Sequence, residues 1–238
     1  MSERGVSRLG IIGDGRMGMA VAELARARGM DVVVILSEAE NPDGSAIASG
    51  ALEGADCAIE FSQPGSAVAN ALACVRAGVP VVIGTTGWYD RLAEVETAVR
   101  AANGSLLWAP NFSAGVVLLT ALVERAGELF RGAGFDAHMV ETHHTAKLDS
   151  PSGTAKALAQ AFEAAGQALP ITSVRLGHVP GTHEITLDAA YEQVTIAHTA
   201  RDRRVFADGA LRAAAWLVGR HGVYTMRDVL GLEPRSRP

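Results

Sequence analysis

The amino-acid sequence predicts an α/β protein: a doubly wound parallel sheet, then a second, α+β domain with a mixed sheet. Three observations lead there. A short apolar run, Leu9 to Ile12, flows into Gly13-Asp14-Gly15-Arg16-Met17-Gly18 and then into a helical pattern. Apolar strand-like runs and amphipathic helices alternate from there to Asn111. Beyond Asn111 the order changes to a long helix, then consecutive strand-like segments.

In chain order, Leu9 to Ile12 reads as a buried strand, and Met19, Val21, Leu24 and Ala25 carry the helix that follows to near Gly29. Asp31-Val32-Val33-Val34-Ile35-Leu36 is a β-branched run of the kind found in strands buried on both faces. Glu38 follows, about twenty residues past the last glycine of the loop. Strand, G-x-G-x-x-G, helix and acid together form a Rossmann-like dinucleotide signature. The glycines allow a tight turn and close backbone approach to pyrophosphate, and the helix N-terminus favours its charge. A glycine-rich βα turn alone would explain the loop but not the acid at that distance. Glu38 is placed to bind a ribose 2′-hydroxyl and to repel a 2′-phosphate, so NADH is expected to be accepted. Ser37 and Arg16 offer NADPH contacts, so NADH, NADPH or both remain open.

The alternation continues with strands at Ala55–Phe61, Val79–Ile83 and Ser105–Ala109, and helices at Pro64–Ala77 and Leu92–Ala101. Each strand ends in small or polar residues: Ser62-Gln63-Pro64, Gly84-Thr85-Thr86-Gly87, and Ala109-Pro110-Asn111-Phe112-Ser113. Ligands of parallel sheets bind at such ends. Gly84, Thr85 and Thr86 are therefore expected beside the nicotinamide.

A second domain is expected over 114–205, for substrate binding and oligomerisation. The nucleotide domain then comprises 1–113 and 206–238. The second domain reads as a helix at Val116–Phe130, a strand at His138–Glu141, a helix at about Ser152–Gly166, and strands at Ser173–Leu176, Glu184–Asp188 and Glu192–Ala200. A helix at Phe206–Gly219 and a segment Val223–Leu232, with a short helical turn, return to the first domain.

Its chemistry is concentrated between Glu141 and Ala155. His143 and His144 change charge near neutral pH, and Lys147 supplies a cation four residues after His143. A helix start follows. Asp149 or Ser150 can cap it, Pro151 fits the first helical position, and Ser152-Gly153-Thr154 present backbone N–H groups to an anion. Read alone, paired histidines at a strand end are often ordinary packing groups, and Ser-Pro-Ser-Gly-Thr is a cap. Beside a dinucleotide fold, the set suggests a site that binds an anion and gives it a proton.

Composition narrows the rest. The 238 residues suffice for one or two domains, with 48% hydrophobic and 20% charged residues. A net charge of −5 without basic clusters argues against nucleic acid. Two cysteines make no disulfide framework, and no Cys/His spacing suggests a metal. Neither a signal-peptide apolar region nor a membrane span is evident, so a cytoplasmic location is the expectation.

The motifs resemble the 4-hydroxy-tetrahydrodipicolinate reductase (dihydrodipicolinate reductase) family. The resemblance runs through Gly13–Gly18, Glu60-Phe61-Ser62-Gln63-Pro64, Ile83–Gly87, Pro110–Ser113, His143–Thr154, Ser173-Val174-Arg175 and Phe206–Leu211. The run His-His-x-x-Lys-x-Asp-x-Pro-Ser-Gly-Thr is its most specific part. The resemblance implies His143 as general acid/base and Lys147 as proton donor and substrate-orienting cation. It implies His144, Gly153 and Thr154 as ligands of a substrate carboxylate. Gly13, Asp14, Gly15, Arg16, Met17, Gly18, Glu38, Gly84, Thr85, Thr86, Ala109, Pro110, Asn111 and Phe112 correspond to the cofactor site. It also implies a dicarboxylate substrate in lysine and diaminopimelate biosynthesis, and a homotetramer built through the second domain's sheet. The glycine loop is one residue shorter than the common family form. Glu38 is followed by Ala39 rather than by an arginine.

Overall fold

The computed structural model describes residues 6–232. They divide into two compact units, one running through Phe112 and resuming at Phe206, the other Ser113–Val205.

The first unit is built on β1 (Arg8–Ile12), α1 (Arg16–Ala27), β2 (Asp31–Leu36), α2 (Ser45–Ala48), β3 (Cys57–Glu60), α3 (Pro64–Arg76), β4 (Val81–Ile83), α4 (Leu92–Ala101) and β5 (Ser105–Trp108). With β10 (Gly222–Tyr224) from the end of the chain, its six strands lie in the order β10-β5-β4-β3-β1-β2, all parallel. The inner strands are continuous apolar runs because both faces are covered. Ile12, Ala58, Ile83 and Leu106 meet Val68, Ala71 and Val75 of α3 and Val95 and Val99 of α4. Ile11 points the other way, against Gly18 of α1. The β-branched run Val32–Ile35 is only half-buried, because β2 is an edge strand. Cys57 and Cys74 are buried free thiols.

The second unit holds α5 (Ala114–Phe130), β6 (Asp136–His143), α6 (Gly153–Glu163), β7 (Ile171–Arg175), β8 (Thr182–Ala189) and β9 (Glu192–Thr199). Its sheet has the order β7-β6-β8-β9, with β6–β7 parallel and the other two pairs antiparallel. One face is sealed by α5 and α6. Leu119, Val123, Leu158 and Phe162 pack on Met139, Ile185 and Leu187, each large side chain contributing about 1.5–3 kcal/mol by burial. Gly127 permits this crossing, since a Cβ there would stand 2.5 Å from the Phe162 carbonyl oxygen.

The chain then enters α7 (Arg204–Leu217), β10 (Gly222–Tyr224) and α8 (Met226–Val229). β10 pairs with β5 and completes the first sheet. Three residues are too few to show a strand period, so the sequence pattern indicated only a returning segment. The start of α6 also differs from expectation. Neither Asp149 nor Ser150 is the cap, and Pro151 is not the first helical residue. Ser152 is the N-cap, its hydroxyl accepting from the Ala155 N–H at 3.1 Å. The Ser150–Pro151 peptide is cis.

Candidate active site

In the first unit, two glycines of the loop have distinct steric reasons. Gly13 turns at φ +104°, and a Cβ there would lie 2.1 Å from the Phe61 carbonyl oxygen. Gly18 lets α1 settle on the turn, because a Cβ would lie 1.8 Å from the Gly13 carbonyl oxygen. Gly15 is different: it is exposed, and a Cβ would meet nothing within 4 Å. It is also the N-cap of α1, without a side-chain cap, and the first turn contains no acid. The leading N–H groups of a twelve-residue helix thus face outward with no built-in anion. Those features suit a pyrophosphate. Asp14 and Arg16 are exposed and Met17 is half-buried. Glu38 is exposed in the turn after β2. That turn is folded by Glu40, which accepts from the Ser37 backbone at 2.9 Å and from its hydroxyl at 2.7 Å.

The strand ends beyond β3, β4 and β5 form one connected wall. Gly84 sits on the Phe61 ring, where a Cβ would be 2.0 Å from a ring carbon. Phe61 meets Phe112 edge-on at 5.8 Å. The Ser62 N–H donates to the Thr85 hydroxyl at 2.8 Å, and the Trp88 indole donates to the Thr85 carbonyl at 2.8 Å. Thr85, Ala109 and Phe112 are buried, while Thr86 and Pro110 are exposed and Asn111 is half-buried. Behind the wall, Glu60 is fully buried and receives Ser62 and Asn70. Burial pushes its carboxyl above the usual carboxylate range, against those hydrogen bonds.

In the second unit, strand period and register build the site. On the helix-covered face, each strand runs from apolar to polar: Ile171 to Ser173 and Arg175, Met139 to Glu141 and His143, Ile185 to His183, Ile196 to His198. The register places Arg175 beside His143, Glu141 beside His183, and His183 beside His198. Glu141 is fully buried. Its Oε1 receives the Arg175 guanidinium at 2.9 Å, and its Oε2 is in direct contact with His143 Nδ1. Among the described residues, neither Oε2 nor Nδ1 has a further hydrogen-bond partner. Burial alone would raise the Glu141 pKa. The neighbouring Ser173 hydroxyl, Arg175 and His143 outweigh it and hold the carboxyl below its usual range.

His143 itself is buried at the end of β6. Burial lowers its pKa, Glu141 opposes, and the Lys147 and Arg175 charges lower it further. The His183 ring stands edge-on at 5.2 Å. Burial, then the charge of His143, push His183 down to about 4. Its Nε2 lies 3.2 Å from the Ser152 hydroxyl, tying β8 to the cap of α6. Among the described residues, Glu141, His143 and His183 are the one group whose donor atoms gather as for a metal, within 4.8 Å. Arg175 already balances that carboxylate, so the charge there is satisfied by side chains.

Lys147 is half-buried, its ammonium 2.7 Å from the Asp149 carboxylate. Lys147 holds the Asp149 pKa down, and the Gly153 N–H contributes to the same effect. His144 is half-buried, with Nε2 3.1 Å from the Arg203 guanidinium. Gly153 and Thr154 open α6. The structure therefore gathers His143, His144, Lys147, Gly153 and Thr154 around the turn between β6 and α6. Glu141, Arg175, His183 and His198 join them by strand pairing. Their signal in the sequence was the period of two, readable only once the four strands had been paired.

Two family models match in succession: "Dihydrodipicolinate reductase, N-terminus" over residues 7–112 and "Dihydrodipicolinate reductase, C-terminus" over residues 115–230. The 4-hydroxy-tetrahydrodipicolinate reductase of Christiangramia forsetii is 35% identical over 93% of this chain and 97% of its own. That of Acidiphilium cryptum is 38% identical, over 94% and 98%. A dipicolinate-bound dihydrodipicolinate reductase from Paenisporosarcina sp. TG-14 shares the fold, with a TM-score of 0.78 at 22% identity over 92% of this chain and 97% of that one. The sequence relationship runs through both units and nearly the full length of those relatives, and with it the chain belongs to the dihydrodipicolinate reductase family.

Proposed function

We infer that this chain reduces 4-hydroxy-tetrahydrodipicolinate to tetrahydrodipicolinate with NAD(P)H, in lysine and diaminopimelate biosynthesis, with His143 as the proton donor. The carrying observation is the buried His143, held by Glu141 and flanked by Lys147 and the start of α6. The cyclic hydroxy-imine dicarboxylate loses water and takes up a hydride and a proton. When bound at the glycine loop, the reduced nicotinamide supplies the hydride. Hydride arrival at an electrophilic ring carbon leaves enamine-like density on the neighbouring carbon, which must be protonated. The imidazolium of His143 gives that proton, an effect typically of about 10²–10⁴ in rate.

Lys147 stabilises the developing charge and anchors a substrate carboxylate. His144, Gly153 and Thr154 hold a carboxylate and orient the ring. Asp149 now occupies Lys147, so the substrate has to displace that contact. On the cofactor side, Glu38 binds the adenosine ribose and gives NADH the advantage. The uncapped N–H groups at Gly15 support a pyrophosphate there.

The test is His143→Gln with cofactor binding measured alongside. Turnover is expected to fall at least tenfold with NADH affinity unchanged. A smaller loss rejects the proton-donor role. Lys147→Ala is expected to lower kcat and raise KM together, and an unaltered KM rejects anchoring. Equal-concentration competition that favours NADPH removes the ribose role of Glu38.

A further inference from the structure

We propose that Glu141 is a positioning residue for this reaction: its buried carboxylate, tied on one oxygen by Arg175, grips His143 at Nδ1 and leaves Nε2 as the edge that carries the transferred proton. The proposal builds on His143 as the donor, and its test separates the two ideas.

The geometry supports it at every contact. Glu141 and His143 are two residues apart on one strand and so share a face. Glu141 has no exposure to solvent, and a lone carboxylate buried that far is costly. Arg175, next in the sheet, supplies the counter-charge to Oε1 at 2.9 Å and is itself anchored to the Val174 and Asp149 carbonyls at 2.8 and 2.6 Å. The carboxylate is thus fixed before it meets the ring. Its Oε2 touches Nδ1, and among the described residues neither atom has a further hydrogen-bond partner. A carboxylate accepts a proton and does not share a lone pair, so Nδ1 carries the N–H in both ring states. Nε2 is then protonated in the imidazolium and bare in the imidazole.

The backbone nearest Nε2 belongs to a glycine. Gly181 passes across the ring at φ +151°, and a Cβ there would stand 3.0 Å from Nε2. The remaining neighbours set the charge balance. Arg175 and Ser173 come from β7, His183 from β8, and Lys147 from the turn after β6, while His198 of β9 acts on His183. Of these charged groups, Glu141 alone favours the imidazolium, while Lys147 and Arg175 oppose it. Without Glu141, the ring would face two cations and lose its proton at lower pH.

The experiment compares Glu141→Gln and Arg175→Met with the unaltered enzyme. Two quantities are read: the ring-nitrogen NMR titration of His143 without substrate, and the pH profile of kcat/KM. Glu141→Gln is expected to move the His143 titration, and with it the fall in kcat/KM at high pH, down by about one unit or more. Arg175→Met removes an opposing cation and is expected to move both upward. Opposite shifts distinguish positioning from general loss of packing, which has no reason to change sign. If the His143 titration stays in place in Glu141→Gln, or its ring proton lies on Nε2 alone in the neutral form, the proposal is overturned. If the titration shifts and the rate profile does not, Glu141 still positions the ring and His143 is not the donor. If Glu141→Gln does not fold, the tautomer of His143 in the unaltered enzyme and the Arg175→Met shift decide the matter.

Discussion

At the scale of single residues, His183 is where folding and pH meet. The ring is 4% exposed, and its pKa is pushed down to about 4. The unfolded chain takes up a proton near pH 6.5, whereas the native state refuses it until about 4. Between those values the unfolded state binds more protons, so stability falls as pH falls. The full loss is about 3 kcal/mol by pH 4. His183→Asn is expected to flatten the decline of Tm between pH 6.5 and 4.5. A slope equal to that of the unaltered protein would show that His183 is not the sensitive group. The same scale shows what sequence spacing reveals. His143, His144 and Lys147 stood out because they cluster along the chain. Glu141, Arg175 and His183 converge only through register, and no local pattern marks which partner each strand chooses.

At the scale of elements, the βα turn after β1 follows from its residues almost completely. Apolar strand, glycine loop and amphipathic helix each report themselves locally, and the structure agrees within a few residues. The strongest constraint is Gly18, whose missing Cβ makes room for the Gly13 carbonyl oxygen. Gly18→Ala forces the start of α1 away from the turn. NADH affinity is expected to fall at least tenfold, measured by fluorescence titration, while substrate-analogue binding persists. Unaltered NADH affinity would remove the loop from the cofactor site. The start of α6 is not fixed by local sequence alone. Asp149, Ser150 and Ser152 are all competent caps, and the choice belongs to Ser152 because its hydroxyl also reaches His183 from β8. That tertiary contact cannot be seen along a single segment.

At the scale of the whole molecule, the α/β class was legible because two kinds of period follow one another along the chain. The order of strands was not, since it depends on pairings far apart in sequence. One face of the second sheet is sealed by α5 and α6. The opposite face presents His138, Val140, Glu184, Thr186, Thr195 and Ala197, of which all but Thr186 are exposed. We propose that the chain assembles into a homotetramer and does so through this face. Light scattering is expected to give four times the 24.8 kDa chain mass. Val140→Lys together with Thr195→Lys is expected to reduce it, and a retained tetramer would place the interface elsewhere.

β10 bears on how the protein is made. The first sheet takes its sixth strand from residues 222–224, which pair beside β5. A ribosome releases those residues only after the entire second unit has been synthesised. Until then β5 presents a naked edge, open to association with other nascent chains. A chaperone that shields β5 during translation would therefore raise the yield of native enzyme, and a stop codon before Gly222 would leave that edge permanently adhesive.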